Sequence, residues 1–100
     1  MSQKKSFKDL IQSDKPVLAD FYADWCAPCK MLTPTLEQLS KESEDLKVVK
    51  IDVDKNPSAA TQFGINGVPT LILFRKGKIL WRKSGVMDIM SLRKELASHM

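Results

Sequence analysis

Trp25-Cys26-Ala27-Pro28-Cys29-Lys30 holds the only two cysteines of a 100-residue chain, three positions apart. On a helix, residues so spaced share a face, with Cβ atoms about 5–6 Å apart. A disulfide asks for Cα atoms roughly 4.4–6.8 Å apart, so the pair can close and reopen with little backbone movement. The apolar run Val17–Tyr22 stands just before it and reads as a strand; a helical pattern follows. Cys26 then falls at a strand-to-helix junction, where unpaired N–H groups and the helix dipole favour a negative sulfur.

Before that strand, residues 6–13 read as a short helix with Ser6 as N-cap and Phe7, Leu10 and Ile11 on one side. Asp14-Lys15-Pro16 breaks it. After the cysteines a helix is expected over 28–43. Pro28 suits its first turn, where a missing N–H costs nothing. Met31, Leu32, Thr35, Leu36 and Leu39 form the expected inward stripe, and Pro34 predicts a kink. Residues 47–53 read as a second strand, which completes a βαβ unit with parallel strands and a right-handed crossover. Asn56-Pro57 turns the chain, and 57–63 can form one or two helical turns. Gly64-Ile65-Asn66-Gly67-Val68-Pro69 is a loop. Residues 70–74 and 78–83 are strands joined by a hairpin at Lys76-Gly77. Gly85 stops the second of them, and 87–98 is the last helix, with Ile89, Leu92 and Leu96 facing in and Met87 and Met90 packing. Phe21, Phe63, Phe74 and Trp81 read as core. One mixed sheet, with a parallel βαβ half, an antiparallel hairpin and helices on both faces, satisfies the whole pattern: an α/β fold.

A chain of this length makes one domain, residues 1–100. It is 43% hydrophobic, and no stretch approaches the ~20 apolar residues of a membrane span. The basic start Met1-Ser2-Gln3-Lys4-Lys5-Ser6 has no apolar core behind it, so no secretory signal is expected. The expected location is the reducing cytoplasm, where a close cysteine pair is catalytic or metal-binding rather than structural. A bridge this short would in any case constrain the unfolded chain little. The formal net charge of +4 comes mainly from Arg75, Lys76, Lys78, Arg82 and Lys83 around the hairpin. With no aromatic ladder or nucleic-acid motif beside it, this reads as a solvated turn. Neither a nucleic-acid nor a membrane partner is expected.

In this setting the sequence resembles the thioredoxin family. The likeness rests on Asp20 in the strand before the motif, Trp25-Cys26-x-Pro28-Cys29-Lys30, Val68-Pro69-Thr70, and Gly85, and it runs from about residue 6 to 96. It implies the thioredoxin fold, with the 47–53 strand beside Val17–Tyr22, then the 70–74 strand, then the 78–83 strand antiparallel. Two departures stand out. Ala27 occupies a place where most thioredoxins have glycine, within the pair that tunes the reduction potential. Family members also carry a strand before the first helix, whereas only five residues precede Ser6 here, too few for a normal strand. The usual N-terminal strand is thus expected to be missing, which leaves a bare sheet edge that bears on stability or dimerisation.

The chemistry follows residue by residue. Cys26, expected nearer solvent, is the nucleophile that would form a mixed disulfide with a substrate. Cys29, one turn inside and more buried, would resolve it. The alternative is a zinc half-site, but zinc takes three or four protein ligands; there is no third cysteine, and the one histidine is His99 near the C-terminus. Asp20 is an acid in an apolar strand. Pattern alone leaves it facing core or solvent. The resemblance matches it to the family's buried aspartate, whose raised pKa suits it to take the Cys29 proton. The resemblance also places the Lys50 ammonium near that carboxyl, modulating its charge; an exposed strand lysine is the alternative. It makes the Val68–Pro69 bond cis and leaves the Val68 N–H and C=O free to pair with an extended substrate. Trp25, Ala27, Pro28, Gly67, Val68, Pro69, Gly85 and Val86 would form an apolar substrate-binding rim, unless Trp25 and Val68 are simply core.

The function implied by the resemblance is reduction of protein disulfides by dithiol–disulfide exchange. No cofactor is bound. Electrons come ultimately from NADPH through a partner thioredoxin reductase, and the chain works as a monomer. Two rivals remain: an isomerase or oxidant of the same fold, against which Pro28 and the missing signal peptide speak, and a binding module that docks partners through the rim with the cysteines incidental.

Overall fold

The computed structural model describes residues 6–100. Eight elements follow in order: α1 (Phe7–Ile11), β1 (Val17–Tyr22), α2 (Ala27–Glu42), β2 (Lys47–Asp52), α3 (Pro57–Gln62), β3 (Thr70–Arg75), β4 (Lys78–Ser84) and α4 (Ile89–His99). Among the described residues the sheet has four strands in the order β2-β1-β3-β4. β1 pairs with β2 in parallel and with β3 antiparallel, and β3 with β4 antiparallel. The mixed α/β sheet expected from the sequence is therefore present, with boundaries moved by a residue or two. The expectations about a missing first strand and a secretory leader fall on residues 1–5, outside the described residues. Among those described, β2 is an edge strand whose one sheet neighbour is β1.

Local chemistry sets the ends of the elements. The Ser6 Oγ accepts the Asp9 N–H at 3.2 Å, and the Asp9 carboxylate accepts the Ser6 N–H in return, a reciprocal cap that starts α1. Asp88 caps α4 through the Ser91 N–H at 3.1 Å, so that helix begins two residues later than its apolar pattern suggests. At the hairpin, Lys76 (φ 52°) and Gly77 (φ 78°) both lie in the left-handed region, as a turn matched to strand twist requires. A register irregularity between Leu73 and Phe74 bends β4 against β3.

The central strands β1 and β3 are buried on both faces. Leu18, Leu71, Leu73 and Trp81 meet Leu32, Leu36, Leu39, Leu92 and Leu96 beneath α2 and α4. Val17, Ala19, Phe21, Ile72 and Phe74 face α1 and α3, where the rings of Phe7, Phe21, Phe63 and Phe74 pack edge to face, with centroids 5.1 Å apart for Phe63 and Phe74. Each fully buried leucine or phenylalanine contributes roughly 1.5–3 kcal/mol. Two methionines depart from expectation. Met31 is 68% exposed and Met90 73%. The inward stripe of α2 is Cys29, Leu32, Leu36 and Leu39, which turns Met31 to solvent, and Leu92 and Leu96 do the same for Met90 in α4.

Candidate active site

Cys26 is the N-cap of α2. Its Sγ accepts the Cys29 N–H at 3.1 Å, so the sulfur stands where a helix start leaves donors without partners. Pro28 in the first turn has no N–H to leave over. The two cysteines are joined in a disulfide, with Cα atoms 5.3 Å apart.

Cys26 is not nearer solvent than Cys29, as the sequence suggested: both are 3% exposed. The Val68 segment leans over the pair. The Val68 carbonyl oxygen lies 3.6 Å from the Cys26 Sγ, and Tyr22, Ala23, Val53 and Val68 pack around both cysteines. In the disulfide the sulfur has no hydrogen to donate, so this is a close contact and not a hydrogen bond. What separates the two sulfurs is their polar surroundings. Cys26 has the helix start and a carbonyl. Cys29 borders a crevice of about 100 Å³ that Thr33 and Lys50 also line.

Asp20 is fully buried, on the face of β1 that α2 covers, and among the described residues neither carboxyl oxygen has a hydrogen-bond partner. Burial pushes its pKa from the usual 3.8 up to about 6, against the opposing pull of the Lys50 cation. Lys50 is its register partner on β2. That lysine is exposed, and its Nζ sits 4.6 Å above the Tyr22 ring. It thus borders the Cys29 crevice while its charge reaches Asp20.

The Val68–Pro69 peptide bond is cis, with Pro69 buried and Val68 half-buried. The Pro69 carbonyl accepts the Gly85 N–H at 2.9 Å, which ties Gly85 to the loop. The Thr70 Oγ1 donates to the Gly67 carbonyl at 2.7 Å and meets the Ser84 Oγ at 3.1 Å. Ala27, Pro28, Gly67, Gly85 and Val86 are exposed. Trp25 is 71% exposed, so it is not core. Its indole N–H donates to the Asp54 Oδ2 at 2.9 Å. Asp54 and exposed Met31 were not anticipated. The Trp25–Asp54 bond joins side chains from the segments that follow β1 and β2; the βαβ pattern sets those strands side by side but does not show which side chains reach across. Asp52-x-Asp54 after a strand is an acid placed to bond a backbone N–H two residues on, a readable turn signal. Among the described residues, no three His, Cys, Asp or Glu side chains gather as a metal site, and no helix is long and apolar enough to cross a membrane.

A mixed α/β sheet that presents a reversible cysteine pair at a strand-to-helix junction defines a dithiol–disulfide exchange protein. The thioredoxin family model matches residues 1–98. The chain is 48% identical to a thioredoxin of Chlamydia muridarum, spanning 94% of this chain and 91% of the relative. It is 44% identical to a thioredoxin of Acidithiobacillus ferridurans, over 92% and 86%. Among solved structures, a mutant thioredoxin of Halobacterium salinarum superposes with a TM-score of 0.85 at 43% identity, covering 92% of this chain and 80% of that one. Mitochondrial thioredoxin 3 of Saccharomyces cerevisiae, in its oxidised form, gives 0.83 at 34%, over 92% and 86%. The chain belongs to the thioredoxin family. It is a protein-disulfide oxidoreductase whose electrons are carried by Cys26 and Cys29 themselves rather than by a bound cofactor.

Proposed function

We propose that the protein works as a reductant, with Cys26 as nucleophile, Cys29 as resolving thiol and Asp20 as proton acceptor. The observation that carries this reading is the Cys26 Sγ at the α2 N-terminus, accepting the Cys29 N–H at 3.1 Å; a thiolate there gains from the helix dipole. The Cys26 thiolate attacks a substrate disulfide, forming a Cys26–substrate bond and expelling one substrate thiolate. Asp20 then takes the Cys29 proton. Cys29 attacks the Cys26 sulfur, the second substrate thiolate leaves, and the chain holds the Cys26–Cys29 disulfide: two electrons have passed to the substrate. Lys50 tunes the Asp20 charge. Val68 pairs its N–H and C=O with an extended substrate chain, flanked by Trp25, Ala27, Pro28, Gly67, Pro69, Gly85 and Val86. Re-reduction falls to a thioredoxin reductase drawing on NADPH, in the cytoplasm, with the chain acting as a monomeric single domain.

Two measurements test this. Insulin-disulfide reduction should vanish in Cys26→Ser, whereas survival of turnover sinks the assignment. The reduction potential should lie near the roughly −270 mV known for thioredoxin itself; a value of about −120 to −180 mV makes the protein an oxidant or isomerase instead.

A further inference from the structure

The segment that carries Val68 has little regular structure of its own to hold it. α3 ends at Gln62. The Gly64 N–H reaches the Thr61 carbonyl at 3.1 Å and the Ile65 N–H reaches the Ala60 carbonyl at 2.8 Å, a turn that uses the positive φ of Gly64 (61°). These bonds consume the donors and leave the Phe63 and Gly64 carbonyls pointing outward. Both are taken by Arg82: its Nη1 donates to the Phe63 carbonyl and its Nη2 to the Gly64 carbonyl at 2.8 Å. Ser84 and Gly85, at the end of β4, then pin the far side of the same loop. Ser84 meets Thr70, whose hydroxyl holds the Gly67 carbonyl, and Gly85 holds the Pro69 carbonyl. Arg82 and Ser84 sit two apart on β4, opposite Ile72 and Thr70, so they share a face of the sheet. The end of β4 is thus a rack on which the loop hangs at both ends, with the Val68 carbonyl delivered 3.6 Å from the Cys26 sulfur.

We infer that Arg82 is a positioning residue for substrate capture: its guanidinium fork fixes where the Val68 backbone stands relative to Cys26. This rests on the reading that Val68 pairs with the substrate chain. A surface arginine serving only solubility has no reason to spend two parallel donors on adjacent carbonyls, and lysine, whose three donors radiate from one nitrogen, cannot reproduce the fixed spacing of two separate nitrogens. Arg82 lies outside the exchange chemistry itself. Its loss should therefore be felt by a disulfide embedded in extended peptide and not by a small disulfide that has no backbone to pair.

The experiment compares wild type, Arg82→Ala and Arg82→Lys on two substrates, a disulfide-linked extended peptide and hydroxyethyl disulfide. Amide exchange at Ile65–Val68 is read alongside. Wild type should favour the peptide. Arg82→Ala should raise KM for the peptide about tenfold, a displacement effect, leave kcat and the hydroxyethyl disulfide rate within about twofold, and speed exchange at Ile65–Val68 but not in β3. Arg82→Lys should resemble Arg82→Ala. Equal losses on both substrates, or full rescue by lysine, overturn the role of Arg82 in favour of general stability or charge. If wild type itself shows no preference for the peptide, the Val68 pairing fails, and the inference falls with it. If wild type shows the preference and Arg82→Ala keeps it, the Arg82 inference alone is wrong.

Discussion

Two aspartates lie buried on neighbouring strands, on the same face of the sheet, and differ in almost everything else. Asp20, mid-β1, is fully buried, with no hydrogen-bond partner for either oxygen among the described residues. Asp52, at the end of β2, is 6% exposed, and its Oδ1 accepts the Asp54 N–H at 2.9 Å and the Lys55 N–H at 3.3 Å. The second carboxylate is satisfied and shapes a turn. The first is left with its charge unsolvated, so the fold prefers it protonated. A partnered buried acid stabilises; an unpartnered one costs stability at neutral pH and gains a proton affinity near the working pH. Natural folds keep such a cost where chemistry uses it.

The sharpest test is stability against pH. Between the usual 3.8 and the raised value of about 6, the folded chain holds a proton that the unfolded chain has released. By linkage, folding stability therefore falls as pH rises through that window, and the full penalty is present above it. The gap between the two values corresponds to about 3 kcal/mol. Asp20→Asn, which keeps the shape but cannot ionise, should exceed wild type by about 3 kcal/mol in urea unfolding at about pH 8, and by nothing near pH 3. A difference that does not vary with pH would break the contrast.

Turnover should move the other way. If Asp20 receives the Cys29 proton, Asp20→Asn should slow release of the mixed disulfide by about 10²-fold, the usual worth of a placed base. The wild-type rate of that step should rise with pH through about 6 as Asp20 ionises, and the variant should lack that limb. A variant that resolves its mixed disulfide at the wild-type rate removes Asp20 from the mechanism.

Much of this was legible in one dimension. The nearly unbroken apolar run Val17–Tyr22, the cysteine spacing and Lys76-Gly77 carry local chemistry that fixes a buried strand, a helix start and a hairpin. That Asp20 interrupts such a run could be seen, but not which way it points, because a strand covered on both faces shows no alternation to read. The equal burial of Cys26 and Cys29 was missed because Val68, thirty-nine residues beyond Cys29 in the chain, closes over both sulfurs. Met31 was misassigned for a different reason: an apolar residue at an exposed helix position breaks the rule that apolar means inward. The Arg82 fork and the Trp25–Asp54 bond depend on how far individual side chains reach between segments distant in the chain, which no local signal contains.

The partnered aspartate gives the opposite sign and a smaller effect. Asp52→Ala leaves two backbone N–H groups without their acceptor, so it should lower unfolding free energy by about 1–3 kcal/mol. It should also loosen the turn that presents Asp54 to the Trp25 indole, read as a change in tryptophan fluorescence of the folded protein. A stabilised Asp52→Ala would mean the two acids do not differ in the way their hydrogen bonds indicate.

The smallest expected effect isolates Lys50. Its cation lowers the Asp20 pKa while burial raises it, so Lys50→Gln removes the opposing pull, and the pH limb of the resolving step should move to higher pH. Lys50 is exposed, with its ammonium over the Tyr22 ring, and water and salt screen a charge so placed. Raising salt to about 0.5 M should therefore shift the wild-type limb in the same direction as the mutation and leave the Lys50→Gln limb nearly still. If the limb ignores both salt and Lys50→Gln, Asp20 is governed by burial alone. If salt moves wild type and variant equally, some other charge is acting, and the Asp20–Lys50 register pair loses its functional meaning.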